Sequence, residues 1–201
     1  MARDAAIFGT LDQMRSLLLI RHASTSVTRA AAFPTDEPLD DRGRLAAAGL
    51  VAALPARFEA LSSPALRCLE TAAAAGLSPQ IVPVLAGCDY GIWAGRSLAD
   101  VHAGEPEAAA AWMTDPDACG HGGESVRAFV TRVAGWLDEQ ARLEGRAVVI
   151  THGGVVKAAV VHALGAPIEA FWQVDVAPLA ITELHAHGGR WTLRRANAPS
   201  G

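Results

Sequence analysis

Two histidines in this chain share one local setting. The run LLLIRH ends at His22 and the run AVVITH ends at His152, so each time a short apolar segment of buried-strand type delivers an imidazole at its C-terminal end. A third apolar segment, Phe58 to Ser62, leads into SSPALR and places Arg67 about one helical turn past Ser63-Pro64, while Arg21 directly precedes His22. Taken singly, a histidine at a strand end reads as structural, and an arginine on a helix reads as a solvated side chain with its stem on the core. If neighbouring strands carry these four, however, two arginines and two histidines meet in one pocket, and the ligand suited to it is a phosphate.

Arginine belongs in such a pocket because its planar fork binds phosphate oxygens in pairs and stays charged at every relevant pH. Histidine can act there as a nucleophile while its ring is neutral, one nitrogen attacking in line and the other held by a hydrogen bond, commonly to a backbone carbonyl. The negative charge of a phosphoryl transition state is spread over three oxygens. Fixed guanidinium groups and a second imidazole can stabilise it without a metal.

The elements that would position these groups alternate. Leu17 to Ile20 reads as the first strand. A Pro- and Asp-rich loop, Phe33 to Arg42, leads to an Ala-rich helix from about Gly43 to Leu54, then to the strand Phe58 to Ser62 and a helix opened by Pro64. Ile81 to Leu85 is a third strand candidate. From Ala86 to Gly123 the chain is irregular, with helical pieces near 98–102 and 107–113, and reads as a lid over a site. Helical spacing returns over Ser125 to Leu143. The strand Ala147 to Ile150, a helix from Gly153 to about Leu164 and a hairpin (Ala180 to His185, Arg190 to Arg194) close the chain. This order predicts an α/β three-layer sandwich, a mostly parallel central sheet with helices on both faces and an antiparallel edge, with catalytic groups at the carboxyl ends of the strands.

The 201 residues suit one domain, expected over 15–201, and the first strand starts so late that residues 1–14 read as an N-terminal extension. A net charge of −4 with no basic run argues against nucleic acid, and no apolar run approaches the ~18 residues of a membrane span. Three widely spaced cysteines imply neither a disulfide framework nor a zinc or redox pair, in keeping with a reducing cytoplasm. His185 and His187 sit two apart on a strand but lack a third ligand type nearby, so they read as hairpin residues. Association into a homodimer is left open by the sequence.

Five segments in register, LIRHAST (19–25), SSPALRCLETA (62–72), DYGIWAG (89–95), GGES (122–125) and VITHGG (149–154), resemble the histidine phosphatase (phosphoglycerate mutase-like) superfamily, over about Arg15 to Arg194. The resemblance implies a phosphohistidine mechanism with no metal and no cofactor. In it His22 matches the nucleophile, Arg21 and Arg67 the phosphate-binding arginines, and His152 the second histidine. Thr28 occupies the place of an asparagine near the phosphate, and Gly153, which opens the helix that follows His152, and Glu124 are expected to bind the phosphate or substrate as well. The expected activity is hydrolysis of a small phosphorylated metabolite. A non-catalytic binder of a phosphorylated ligand is the alternative, and a mutase is a third reading. Tyr90, Trp93 and Trp112 in a short lid would suit a ligand with an apolar or aromatic part.

Two departures stand out. Ala23 replaces the glycine after the nucleophile. More consequential, Gly87 in LAGCDYG (85–91) stands where most members carry the glutamate that protonates the leaving group. Asp89, two residues on and so on the same side of an extended segment, is the expected replacement. Glu124 is the second candidate and His121 the third. Against these, Asp before Tyr-Gly also suits a turn, and Glu124 suits a first helical turn.

Overall fold

The computed structural model describes residues 14–200, so the expectation of a dispensable N-terminal extension falls almost wholly outside the described residues. Within them, the elements in chain order are β1 (Arg15–Arg21), α1 (Ser26–Arg29), α2 (Asp41–Ala48), β2 (Glu59–Ser62), α3 (Leu66–Ala74), β3 (Gln80–Ile81), α4 (Leu98–Gly104), α5 (Pro106–Thr114), α6 (Val126–Gln140), β4 (Gly145–Thr151), α7 (Gly153–Leu164), β5 (Ile181–His187) and β6 (Arg190–Ala198). No helix among them is long and apolar enough to cross a membrane.

One six-stranded sheet runs in the order β3-β2-β4-β1-β5-β6. The first four strands are parallel, and β5 and β6 add the antiparallel edge. The central strands β1 and β4 carry continuous apolar runs, Leu17 to Ile20 and Ala147 to Ile150, because both of their faces are covered there. Side chains alternate across the sheet, so Leu17, Leu19, Ala147 and Val149 pack with α6 and α7, whereas Leu18, Ile20, Val148 and Ile150 pack with α2 and α3. Three layers follow directly from that period of two. α6 is opened by Ser125, whose hydroxyl accepts the Ala128 N–H, and it turns Phe129, Val133 and Leu137 into the core.

The third strand is shorter than its sequence suggests. Pro83 follows Val82 and starts a 3-10 turn, Pro83–Leu85, so pairing stops at Ile81. Proline lacks the N–H that would continue the ladder.

The segment expected to form a lid, 86–123, shares a small core with the loop that carries Phe33. Phe33, Trp93, Val101 and Ala109 are buried together, with Tyr90 and Trp112 against them. Two glycines clamp it to the loop before α6: a Cβ on Gly91 would lie 2.1 Å from the His121 carbonyl oxygen, and one on Gly123 would lie 2.3 Å from that of Asp89. The two backbones therefore touch, with Ile92 N–H donating to His121 O and Glu124 N–H to Asp89 O.

Candidate active site

β1, β4 and β2 lie side by side and end level, with Arg21 opposite Thr151 and Ser62 opposite Ile150. Just past these ends His22 N–H donates to Thr151 O at 2.8 Å and Ser63 N–H donates to Ile150 O at 3.0 Å. The ladder thus extends one residue beyond the sheet and fixes the backbone under each functional group. α3 begins after Pro64 and carries Arg67 back over the strand ends, while α7 starts at Gly153 immediately after His152 and opens its N-terminus into the same pocket. Such a helix end favours an anion.

His22 is buried, and its Nδ1 lies 2.8 Å from the carbonyl oxygen of Ala23. A carbonyl can only accept, so Nδ1 carries the proton and Nε2 presents a lone pair. Consistent with this, Arg67 Nε–H donates to His22 Nε2 at 3.2 Å. Burial, with Arg67 and Arg21 close by, outweighs the Ala23 contact and holds the ring down to about 3. The imidazole is neutral at working pH, with its nucleophilic nitrogen turned to the guanidinium.

Arg67 is buried and fully engaged: besides His22 it donates from Nη2 to His152 Nδ1 at 3.1 Å and from Nη1 to Thr35 O at 2.8 Å, with Glu37 Oε2 at 3.6 Å. Because guanidinium only donates, His152 Nδ1 is bare and its Nε2–H donates to Ser63 Oγ at 2.8 Å. Burial first, then the arginines, keep His152 neutral as well. The two rings meet edge-on, 5.4 Å between centroids. Arg21 donates from Nη1 to Val176 O at 2.6 Å, and its buried Nε–H has no partner among the described residues. An unmet buried donor of this kind costs about 1–3 kcal/mol, which an acceptor oxygen would relieve.

These groups floor a cavity of about 450 Å³. Thr28 and Gly153 line it as expected, and Thr28 also shares a capping box with Thr25. Tyr90 and Trp112 form part of its wall. Trp93 does not: it is wholly buried in the lid and donates from Nε1 to Glu105.

The expected acids fall outside. Asp89 is exposed, its Oδ1 accepting the Gly91 N–H in a turn, and it does not line the cavity. Both carboxylate oxygens of Glu124 are held by Arg132, at 2.9 and 2.8 Å. His121 is buried against Trp93, its Nδ1 accepting the Gly123 N–H. The tight packing at Gly91 and Gly123 is the reason, since it folds residues 88–91 onto 121–124 and turns these side chains away. Gly87 lies in the wall, where a Cβ would rest 3.4 Å from the His152 ring.

Three participants were missed from sequence. Glu37 lines the cavity with only 9% of its side chain exposed, accepting from Thr25 Oγ1 and Thr35 N–H as well as facing Arg67. Ser63 orients His152, and Lys157 stands on α7 in the wall. Lys157 carried a signal, as the chain's single lysine among 17 basic residues. Glu37 was hidden in a loop whose composition announces only a turn.

Comparison with known proteins adds to this geometry. Residues 17–199 match the histidine phosphatase superfamily (branch 1). A glucosyl-3-phosphoglycerate phosphatase from Mycolicibacterium vanbaalenii is 31% identical over 176 residues, covering 78% of this chain and 77% of the relative. The alpha-ribazole phosphatase of Shigella flexneri is similar in structure, with a TM-score of 0.80 and 26% identity over 91% of this chain and 96% of that one. A mycobacterial glucosyl-3-phosphoglycerate phosphatase in complex with VO3 gives the same TM-score at 26% identity, over 92% and 99%.

Proposed function

The chain belongs to the histidine phosphatase superfamily, and from that premise we propose that this phosphatase hydrolyses a small phosphate monoester through a phosphohistidine on His22, without a metal. The observation that carries the reading is the tautomer of His22, whose Nε2 lone pair is fixed by the Ala23 carbonyl behind it. Nε2 attacks phosphorus, the bond to the ester oxygen breaks, and that oxygen takes a proton as it leaves. Water then attacks the phosphohistidine, returns a proton to the group that protonated the leaving oxygen, and releases phosphate with His22 restored. Arg21, Arg67, the N-terminus of α7 and His152, which takes a proton from solvent as the negative charge of the dianion arrives, hold the phosphoryl oxygens.

Glu37 is the proton donor best supported by the geometry. Of the two carboxylates in the wall, Glu37 and Asp175, it is the one beside Arg67. A carboxyl group there is placed to hand a proton to the ester oxygen that leaves a phosphoryl group held by Arg67. A retained neutral nucleophile supports catalysis over the non-catalytic alternative. Free Cys68, Cys88 and Cys119 support a reducing, cytoplasmic setting.

The test is turnover of p-nitrophenyl phosphate, with and without EDTA and vanadate, followed by rapid quench with labelled substrate. We expect activity indifferent to EDTA, inhibition by vanadate, and an acid-labile, base-stable adduct that disappears in His22→Ala. Loss of activity on chelation, or label on a serine or aspartate, overturns the mechanism.

A further inference from the structure

Sixteen of the chain's seventeen basic residues are arginine, and the single lysine, Lys157, stands in the wall of the catalytic cavity. It interrupts an otherwise apolar stretch of α7, where Val155, Val156, Ala158 and Ala159 are wholly buried. Gly153, one turn earlier on the same face, lies against Arg21: a Cβ there would be 3.4 Å from Arg21 Cδ. The Lys157 backbone therefore stands about one helical turn, roughly 5 Å, further along α7 than Gly153. Its ammonium lies 5.6 Å from the Phe171 ring centroid and, among the described residues, has no salt bridge. Burial lowers its affinity for the proton and nearby Asp175 raises it, with the net effect downward. Packing alone does not explain the residue, since a methionine would cover Phe171 without desolvating a charge.

We propose that Lys157 forms a second anion subsite, one that receives a carboxylate or second phosphate carried by the leaving group of the substrate. This rests on the phosphatase reading above. The floor already provides for the transferred phosphoryl group through Arg21, Arg67 and His152, so a further cation rooted one turn along α7 is available to a different anionic group. It is within reach of an anionic group two or three carbons from the ester oxygen. Lysine suits the task because its compact, rotatable ammonium meets a single anionic group, whereas the arginine fork demands a planar, paired partner. A charge-assisted contact there would select among phosphate esters of equal size by what their far end carries.

The experiment compares matched pairs on the full chain: 3-phosphoglycerate against glycerol 3-phosphate, and propane-1,3-diol bisphosphate against 3-hydroxypropyl phosphate. Wild type is expected to favour the anionic member of at least one pair by about 10-fold or more in kcat/KM, chiefly through KM, and Lys157→Met should shrink that ratio below about 2. A preference in the first pair alone names a carboxylate, and in the second alone a phosphate. The same ligands are titrated calorimetrically into His22→Ala and into His22→Ala/Lys157→Met, a readout that needs no turnover. No preference in wild type, or one that Lys157→Met leaves intact in both rate and binding, overturns the subsite. Failure on p-nitrophenyl phosphate counts instead against the phosphatase reading, and calorimetry then decides the subsite by itself.

Discussion

In the free protein the Nε–H of Arg67 rests 3.2 Å from Nε2 of His22, on the lone pair that must attack phosphorus. The guanidinium therefore covers the nucleophile until a phosphate draws it away. Lysine cannot reproduce this, having one nitrogen where Arg67 uses three against His22, His152 and Thr35. Arg67→Lys should lower kcat/KM for p-nitrophenyl phosphate by about 100-fold, the equivalent of ~3 kcal/mol, and weaken vanadate inhibition in parallel. Steady-state kinetics with a vanadate titration checks both, and a loss under about 3-fold would show that Arg67 is only packing.

A second expectation concerns acid. His22 titrates near 6.5 in an unfolded chain but is held down to about 3 in the folded one, so from pH 6.5 downward the unfolded state binds the extra proton. Stability should fall with pH across that window, by about 1 kcal/mol per pH unit for this residue, and level off below about pH 3. Urea midpoints at pH 7.5, 6 and 5 provide the measurement. His22→Asn should show a shallower decline, and parallel slopes would contradict the buried neutral state.

The assignment of the proton donor separates two carboxylates. Glu37→Gln should slow an alkyl phosphate by about 10²–10⁴-fold while costing an aryl phosphate much less, since phenolate leaves unaided. Asp89→Asn should leave the alkyl-to-aryl ratio unchanged, because that carboxylate caps the Gly91 turn. A Cβ at Gly87 makes only ordinary contact with the His152 ring, and Gly87→Glu should restore alkyl turnover in the Glu37→Gln background. The reverse outcome, with Asp89 governing the ratio, would return the acid to the lid.

Gly91 allows the lid to close on the loop before α6. Its φ of +49° and the 2.1 Å from a built Cβ to His121 O leave no space for alanine. Gly91→Ala should lower the melting temperature by about 5 °C or more, and it should raise KM as Tyr90 and Trp112 lose their place in the wall. Thermal melts and substrate titrations test the pair. An unchanged KM would detach the lid from substrate binding.

The nucleophile's strand, the second histidine's strand and the helix of Arg67 could be read from sequence because burial on both faces forces continuous apolar runs, and those runs end where the chemistry starts. His22, Arg21, Arg67 and His152 accordingly meet where the pattern places them. The lid could not be read this way. Its path depends on backbone contacts at Gly91 and Gly123, between segments about thirty residues apart, and no local periodicity records such contacts. The extended-chain argument that favoured Asp89 fails there because residues 89–91 turn. Glu37 belongs to the same class, a loop residue whose meaning comes from Arg67, thirty positions later.

The sheet's two outer strands carry a consequence for the protein in a crowded solution. β3 offers two residues before Pro83 ends it. At the other side β6 presents exposed Arg190, Arg194 and Arg195, and its pairing with β5 is bulged between Ile181 and Leu184. A short, proline-stopped margin and a charged, irregular one are poor templates for an incoming strand. The chain is thereby guarded against growing, copy upon copy, into a continuous sheet.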